Sequence, residues 1–387
     1  LVRAGRLLIG PWFVLPDEWL VSGESLIRNL RRGLRDAEAF GGAMRVGYVP
    51  DQFGHVGQLP QIFRGFGFEG AALWRGVGAE IVDSFFSWEA PDGSRVDTLY
   101  LATGYSNGAH LPLDPAALAA RLQREAAKLA PFAKQRPVLL MNGVDHMLPQ
   151  PGLPAALEAA RASLADVSIE FTTLPAVLDR FAIDGGPPRH VHRGELRSGL
   201  RTPLLPGCAS TRITQKQRDV RNEERLVRVL EPLSAWLAAR GGRPDTGLID
   251  LAWRHLLENH PHDSICGCSV DRVHAQMEAR FDRVEEITEA EIVRVARELS
   301  ADLALPPGAA TRGAGDAVVV WNPHAGGVSG MDSEIETGLP LSPRVGAHAS
   351  AHLRDAAGER IPADGEVIEP GFTWENTAPV ALARALL

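Results

Sequence analysis

The sequence predicts an α/β domain with a mostly parallel, barrel-like sheet, followed by a three-helix bundle and the start of a β-sandwich domain. Three observations carry this expectation. Residues 1–190 alternate short apolar runs with helical patterns, the rhythm of strands joined by crossover helices. Between residues 191 and 305 the apolar spacing becomes helical: Val270, Val273, Met277, Phe281, Val284, Ile287, Ile292, Val295 and Leu299 recur at steps of three to five. Such a stripe belongs to a helix packed in a bundle. From residue 315 to 387, VVVWNP opens a series of short runs broken by Gly, Pro and Ser, which reads as all-β.

The elements follow in order. RLLIG at residues 6–10 is a short strand. Ser22 caps a helix through ESLIRNLRRGLRDAEAF, with Leu26, Leu30 and Leu34 on one face. MRVGYV is a strand, LPQIFRGF a short helix and GAALW a second strand. FFSWEAPDGSRVDTLYL forms a hairpin turning at Asp92-Gly93. Asp114 caps the helix through DPAALAARLQREAAKLAPF, and PVLLMN and VSIEFTT are further strands. HVH at 190–192 falls in a linker. Residues 211–242 are helical with an interruption at Pro232, TGLIDLAWRHLLEN is the second bundle helix, and Ser269 to Ala304 the third.

At 387 residues the chain is too long for one ordinary core. Its net charge of -8, with 40 Lys and Arg against 48 Asp and Glu, argues against nucleic acid as the main partner. No apolar run approaches a membrane span, and LVRAGRLLIG is too short and broken for a signal peptide. The three cysteines, Cys208, Cys266 and Cys268, do not make a disulfide framework, so a cytoplasmic location is expected. In CGC one intervening residue is short for a pair of zinc thiolates, and small buried thiols are expected there. The chain begins at Leu1 inside an apolar run and stops at ALARALL; it is expected to be a piece of a longer protein.

Ligands of α/β proteins gather at the carboxyl ends of parallel strands. Three predicted strand ends carry suitable groups: Asp51 after MRVGYVP, Arg75 after GAALW, and Asp145 in the NGVDH that follows PVLLM. Two carboxylates and a guanidinium could supply an acid, a nucleophile and a clamp, although an aspartate there is also a common turn or cap residue. A second constellation is ENHPHDSICGC at 258–268, with His260, His262 and Asp263 at a helix end. Imidazole and carboxylate together suit zinc; the same residues can simply end one helix and cap the next. His55 is a candidate ligand or a partner that orients Asp51.

GPWFVLPDEWLVSGESLIRNL, GYVPDQFGHVGQLPQIFRGFGFEGAALWRG, MNGVDH and LLENHPHDSICGCSVDRVH together resemble glycoside hydrolase family 38. These are retaining α-mannosidases, and the wording is nearest to the bacterial branch with its mannosylglycerate hydrolases. The resemblance runs in order along nearly the whole chain. It implies Asp51 as nucleophile and metal ligand, Asp145 as acid/base, and His262 as a metal ligand. It also implies Arg75 beside the nucleophile, Asp263 on a sugar hydroxyl, and one divalent ion, zinc by preference. Phe53 is either core or a sugar-facing ring. The expected substrate is an α-mannoside or a mannosylglycerate-type solute, and the protein is expected to be a possible homo-oligomer. The family's site also uses a His-x-Asp pair upstream of GPW, which this chain does not contain. The chain alone is therefore expected to be inactive. Two other readings stand beside this one: a non-catalytic mannoside-binding or assembly protein, and a metal-dependent deacetylase using Asp51, His55 and His262.

Overall fold

In a computed structural model the described residues are 1–134, 136–164, 167–186, 188, 190–301, 353–354 and 360–361. They fall into two compact units: Leu1–Glu223 with Trp253–Val284, and Glu224–Ala252 with Glu285–Leu387.

The first unit opens with a short 3-10 turn and then α1 (Gly23–Phe40), started by Ser22, whose hydroxyl accepts from the Ser25 amide at 3.1 Å. That bond satisfies one of the amides that a helix start leaves without an internal partner. Next come β1 (Val46–Val49), α2 (Leu59–Gly65), β2 (Gly70–Leu73), β3 (Phe85–Glu89) and β4 (Arg95–Tyr100). Then follow α3 (Pro115–Ala133), capped by Asp114, α4 (Leu153–Ala160), α5 (Leu174–Gly185) and β5 (Val191–Arg193). The sheet order is β1-β2-β4-β3-β5. β1, β2 and β4 run parallel, β3 is antiparallel to β4 as the Asp92-Gly93 turn requires, and β5 is parallel to β3.

Side chains alternate between the sheet's two faces, and both faces are covered. Ala71, Leu73, Val96 and Tyr100 join Phe63 of α2 in one core. Ala72, Phe85 and Leu99 join Val177, Leu178 and Phe181 of α5 in another. Gly47 in β1 is required by this packing, since a Cβ there would stand 2.4 Å from the Phe63 ring. With water excluded from both faces, ligands meet this sheet at its strand ends.

The same unit contains α6 (Ile213–Glu224, to Glu223), the end of α8 (Thr246–Leu257), the short α9 (His262–Ile265) and the first half of α10 (Asp271–Ala301). In the second unit a π-helical stretch, Arg225–Leu230, leads into α7 (Glu231–Ala239). The helix expected to break at Pro232 is instead widened just before it, and the Glu231 amide reaches back to the Leu226 carbonyl. The extra residue per turn makes room for a ring that lacks an N–H and crowds the preceding turn. Leu226, Leu230, Leu233 and Leu237 are buried there, as are Ile292, Val295 and Leu299 of α10. β6 (Leu353–Arg354) and β7 (Arg360–Ile361) form an antiparallel pair. The rest of the expected β-sandwich lies outside the described residues.

Four expectations give way. RLLIG is not a strand: Leu7 and Leu8 are exposed, and the segment gives one ladder-like bond, from the Met44 amide to the Ile9 carbonyl. PVLLMN is not one either, because a side chain takes the place of a neighbouring strand. Asn107 donates to the Leu139 carbonyl at 3.1 Å and accepts from the Met141 amide at 2.7 Å. VSIEFTT is irregular, with Val167 and Phe171 exposed. HVH, read as a linker, supplies β5, and His192 packs edge-on against Phe86.

Candidate active site

Because β1, β2 and β4 are parallel, their carboxyl ends open on one edge of the sheet. Asp51 follows β1 by two residues, Arg75 follows β2 by two, and Tyr105 follows β4 by five. Arg75 grips one carboxylate oxygen, with Nε 2.7 Å and Nη2 2.6 Å from Asp51 Oδ1. It also donates to the Asp51 carbonyl and, through Nη1, to the Pro203 carbonyl at 2.6 Å. The Tyr105 hydroxyl takes the other oxygen, 3.1 Å from Asp51 Oδ2, and stands 3.0 Å from Asp145 Oδ2.

The segment after β5 braces this edge from the side. Backbone bridges join His55 to Leu196 and Gly76 to Ser198. Gly54 and Gly76 both have positive φ, 102° and 83°, and a Cβ would lie 3.0 Å and 2.3 Å from the Leu196 carbonyl oxygen. Those two positions need glycine for conformation and for clearance.

His262 arrives from α9. Its amide and its ring Nδ1 both contact the Leu15 carbonyl, at 2.9 Å and 3.2 Å. Nδ1 is thereby the N–H side of the ring, and Nε2 faces acids: Asp51 Oδ2 at 3.8 Å and Asp263 Oδ1 at 3.9 Å. Phe53 is buried edge-on to the His262 ring at 5.7 Å, with the Arg75 guanidinium 5.4 Å away on its ring.

The electrostatics follow from these contacts. Burial works against ionisation of Asp51, but His262 and then Arg75 outweigh it and hold the carboxyl below its ordinary range. Burial also works against a charge on His262, and Asp51, Asp263 and the Leu15 carbonyl overcome it and push the imidazole up. Tyr105 is pushed well up by burial and by both carboxylates, which keeps it a neutral phenol. Burial, then Asp145 and Asp51, push Tyr48 up to about 12.

The donor set fits a divalent cation. A neighbourhood that favours a proton on Nε2 favours a metal there too, and a carbonyl on the opposite ring nitrogen is the usual way to orient a metal-binding histidine. Two ligands at about 2.1 Å from one zinc stand roughly 3.4 Å apart at the tetrahedral angle, close to the 3.8 Å between Nε2 and Oδ2.

Asp51, Arg75, Asp145, His262, Asp263 and Phe53 are thus connected through one network. His55 is elsewhere: wholly buried, it pairs through Nδ1 with Glu18 at 2.8 Å, and Glu18 also accepts from the Val56 amide. It steadies the loop without touching Asp51. His260 is also apart, buried against Asp219 at 2.9 Å. The CGC thiols divide, Cys266 buried and Cys268 exposed. Tyr105 is the residue that sequence reasoning missed. Its signal was present, because RVDTLY ends in a Gly-rich loop, but its reading as the second arm of a hairpin hid its parallel pairing with β2.

Residues 1–175 match the model of the "Glycosyl hydrolases family 38 N-terminal domain", and residues 204–299 that of the "Alpha mannosidase middle domain". A Halalkalibacterium halodurans protein provisionally named a mannosylglycerate hydrolase is 36% identical over 321 residues, 78% of this chain and 35% of that protein. Alpha-mannosidase 2C1 of Mus musculus is 37% identical over 93 residues, 23% of this chain and 9% of that protein. Among solved structures, an alpha-mannosidase from Enterococcus faecalis superposes with a TM-score of 0.73 at 33% identity, over 79% of this chain and 36% of that one. The chain therefore spans about a third of the length of the relatives that match most of it.

Proposed function

From the premise that this chain belongs to glycosyl hydrolase family 38, whose N-terminal and middle domains it carries, we propose that the full protein is a retaining exo-α-mannosidase. It removes terminal α-mannosyl residues, with Asp51 as nucleophile and Asp145 as acid and then base. The observation that supports this most is the shared contact of Tyr105 with both carboxylates. Two acids touching one hydroxyl are at most about 6 Å apart, near the ~5–5.5 Å of retaining glycosidases and short of the spacing that inversion needs for a water.

The Tyr105 hydroxyl has one proton and stands within hydrogen-bond reach of both carboxylates, so it holds the two acids at one place. The first step requires Asp51 ionised and Asp145 in its acid form. Asp51, ionised under Arg75, attacks the anomeric carbon, and Asp145 delivers its proton to the leaving oxygen. Asp145 then takes a proton from water as the glycosyl-Asp51 ester is hydrolysed. Asp51 and His262 would hold one divalent cation, zinc by donor type, and when bound it would supply positive charge to adjacent sugar hydroxyls. Asp263 and Phe53 would line the sugar. Among the described residues these two ligands fall short of the three protein ligands of catalytic zinc sites, so the activity is proposed for the full protein. Three free cysteines support a cytoplasmic location. Among the described residues no helix is long and apolar enough to cross a membrane.

The test uses full-length protein and NMR of the first-formed product, in which α-mannose is expected; β-mannose would overturn retention. Asp145→Ala is expected to lower turnover of substrates with poor leaving groups by about 10²–10⁴-fold and spare activated aryl mannosides. Unchanged turnover of those substrates would end the acid/base assignment, whereas a deacetylase activity that survives Asp145→Ala is what the deacetylase reading predicts. The name of the H. halodurans relative favours a narrower reading, hydrolysis of mannosylglycerate. Comparing kcat/KM on that solute with kcat/KM on an aryl mannoside decides between the two.

A further inference from the structure

The geometry points to a second cation site, made of Cys266, Cys268 and Asp263 and suited to a thiophilic divalent ion such as zinc, cadmium or cobalt. One ligand atom from each of these residues lies within 4.8 Å of the other two. Cys268 Sγ donates to Asp263 Oδ1 at 3.3 Å. A zinc ion holds thiolates at about 2.3 Å and a carboxylate at about 2.1 Å, which puts neighbouring ligands roughly 3.5–3.8 Å apart. The Cys268–Asp263 contact is already near that spacing, and the other pairs need to close by about 1 Å at most.

The local backbone explains how ligands two residues apart converge. Gly267 adopts φ 92°, and a Cβ there would meet the Thr211 side chain at 2.9 Å. The short spacing that argued against a metal in the sequence is thus met by a left-handed turn between the thiols. Cys268 and Asp263 are exposed and give an entry path, while Cys266 closes the inner side.

The charges balance. Two thiolates and a carboxylate carry three negative charges, and a divalent ion leaves one. Two cations hold this loop: Lys216 Nζ donates to the Cys266 carbonyl at 3.1 Å and Arg212 Nε to that of Gly267 at 3.3 Å. Burial pushes both thiols up, so loading replaces two S–H bonds by two metal–sulfur bonds and passes both protons to solvent. Cys208, within electrostatic reach of both thiols, or a water completes the fourth position. An ion on Asp263 Oδ1 leaves Oδ2 for the sugar contact proposed above.

Cobalt(II) alone tests this, because the Asp51–His262 site contains no sulfur. Full-length protein, reduced with a phosphine and stripped of metal, is titrated with cobalt(II). The expected result is a saturable thiolate-to-cobalt charge-transfer band in the near ultraviolet, retained in Asp51→Asn and lost in Cys268→Ala and Cys266→Ser. Cys268 is exposed, so its variant carries the test if Cys266→Ser fails to fold. No band at cobalt excess, with both thiols still titrating as free, overturns the site; so does a band that survives in both cysteine variants.

Discussion

Two histidines separated by one proline occupy opposite kinds of place. His260 is wholly buried, 2.9 Å from Asp219. Beside it Glu223 accepts from the Ser22 amide and the Ser25 hydroxyl. His262 is partly exposed, held by a carbonyl on one ring nitrogen, and keeps the other 3.8 Å from Asp51. The first acid–imidazole pair is cut off from solvent, with the ligand atoms of Asp219, Glu223 and His260 all within 4.8 Å of one another. In the second the partners are fixed from behind and kept slightly apart. A cluster of titratable residues marks a site when its groups are positioned by others and not consumed by each other.

The contrast is broken most severely at its two carboxylates. Asp51→Asn is expected to lower kcat/KM of the full protein roughly 10⁴-fold or more, the scale on which loss of a nucleophile is felt. Its urea midpoint should stay close to that of the parent. Asp219→Ala should do the reverse, with a large fall in the midpoint and near-parental kcat under conditions where the variant is folded. Parallel urea titrations and steady-state kinetics check both, and an active Asp51→Asn enzyme would end the nucleophile assignment.

The histidines sharpen the same difference at a smaller scale. Burial alone would keep His260 neutral, but Asp219 and then Glu223 push it up. His260→Ala leaves Asp219 buried without its partner, and breaking a buried pair in this way costs about 3–5 kcal/mol. His262→Gln removes a ring that is partly exposed. It should leave stability almost unchanged while weakening binding of a divalent ion by tenfold or more, read by calorimetry on the full protein.

Much of this was legible beforehand, for identifiable reasons. Asp51 and Arg75 stand within two residues of the ends of apolar runs, and parallel strands place such residues on one edge. Ser22 and Asp114 announce their helices because a cap is a local bond. What the sequence hid was non-local. PVLLMN has the composition of a buried strand, yet Asn107, more than thirty residues earlier, satisfies its backbone. His55 looked like a ligand because its partner, Glu18, lies 37 residues away in another segment. HVH read as a linker because a three-residue edge strand has too few positions to show a period. Pro232 marked a disturbance correctly, but whether a helix breaks or widens depends on the turn before it.

Tyr105 is where the comparison can be tested most finely, because its hydroxyl contacts both acids of the open site. Tyr105→Phe removes the hydroxyl and leaves the ring, whose edge-on contact with Trp74 at 5.4 Å should survive. Asp51 keeps Arg75 and stays ionised, so the nucleophile is not lost. What goes is the bond that ties Asp145, an exposed side chain, to the position from which it delivers a proton. One such bond to a charged group contributes about 1.5–3 kcal/mol, so kcat should fall about tenfold to a hundredfold with KM little changed. The loss should be greatest for substrates with poor leaving groups, which depend most on the acid. A uniform loss across leaving groups would mean that Tyr105 serves Asp51 alone, and the link between the two carboxylates would then play no part in the proton transfer.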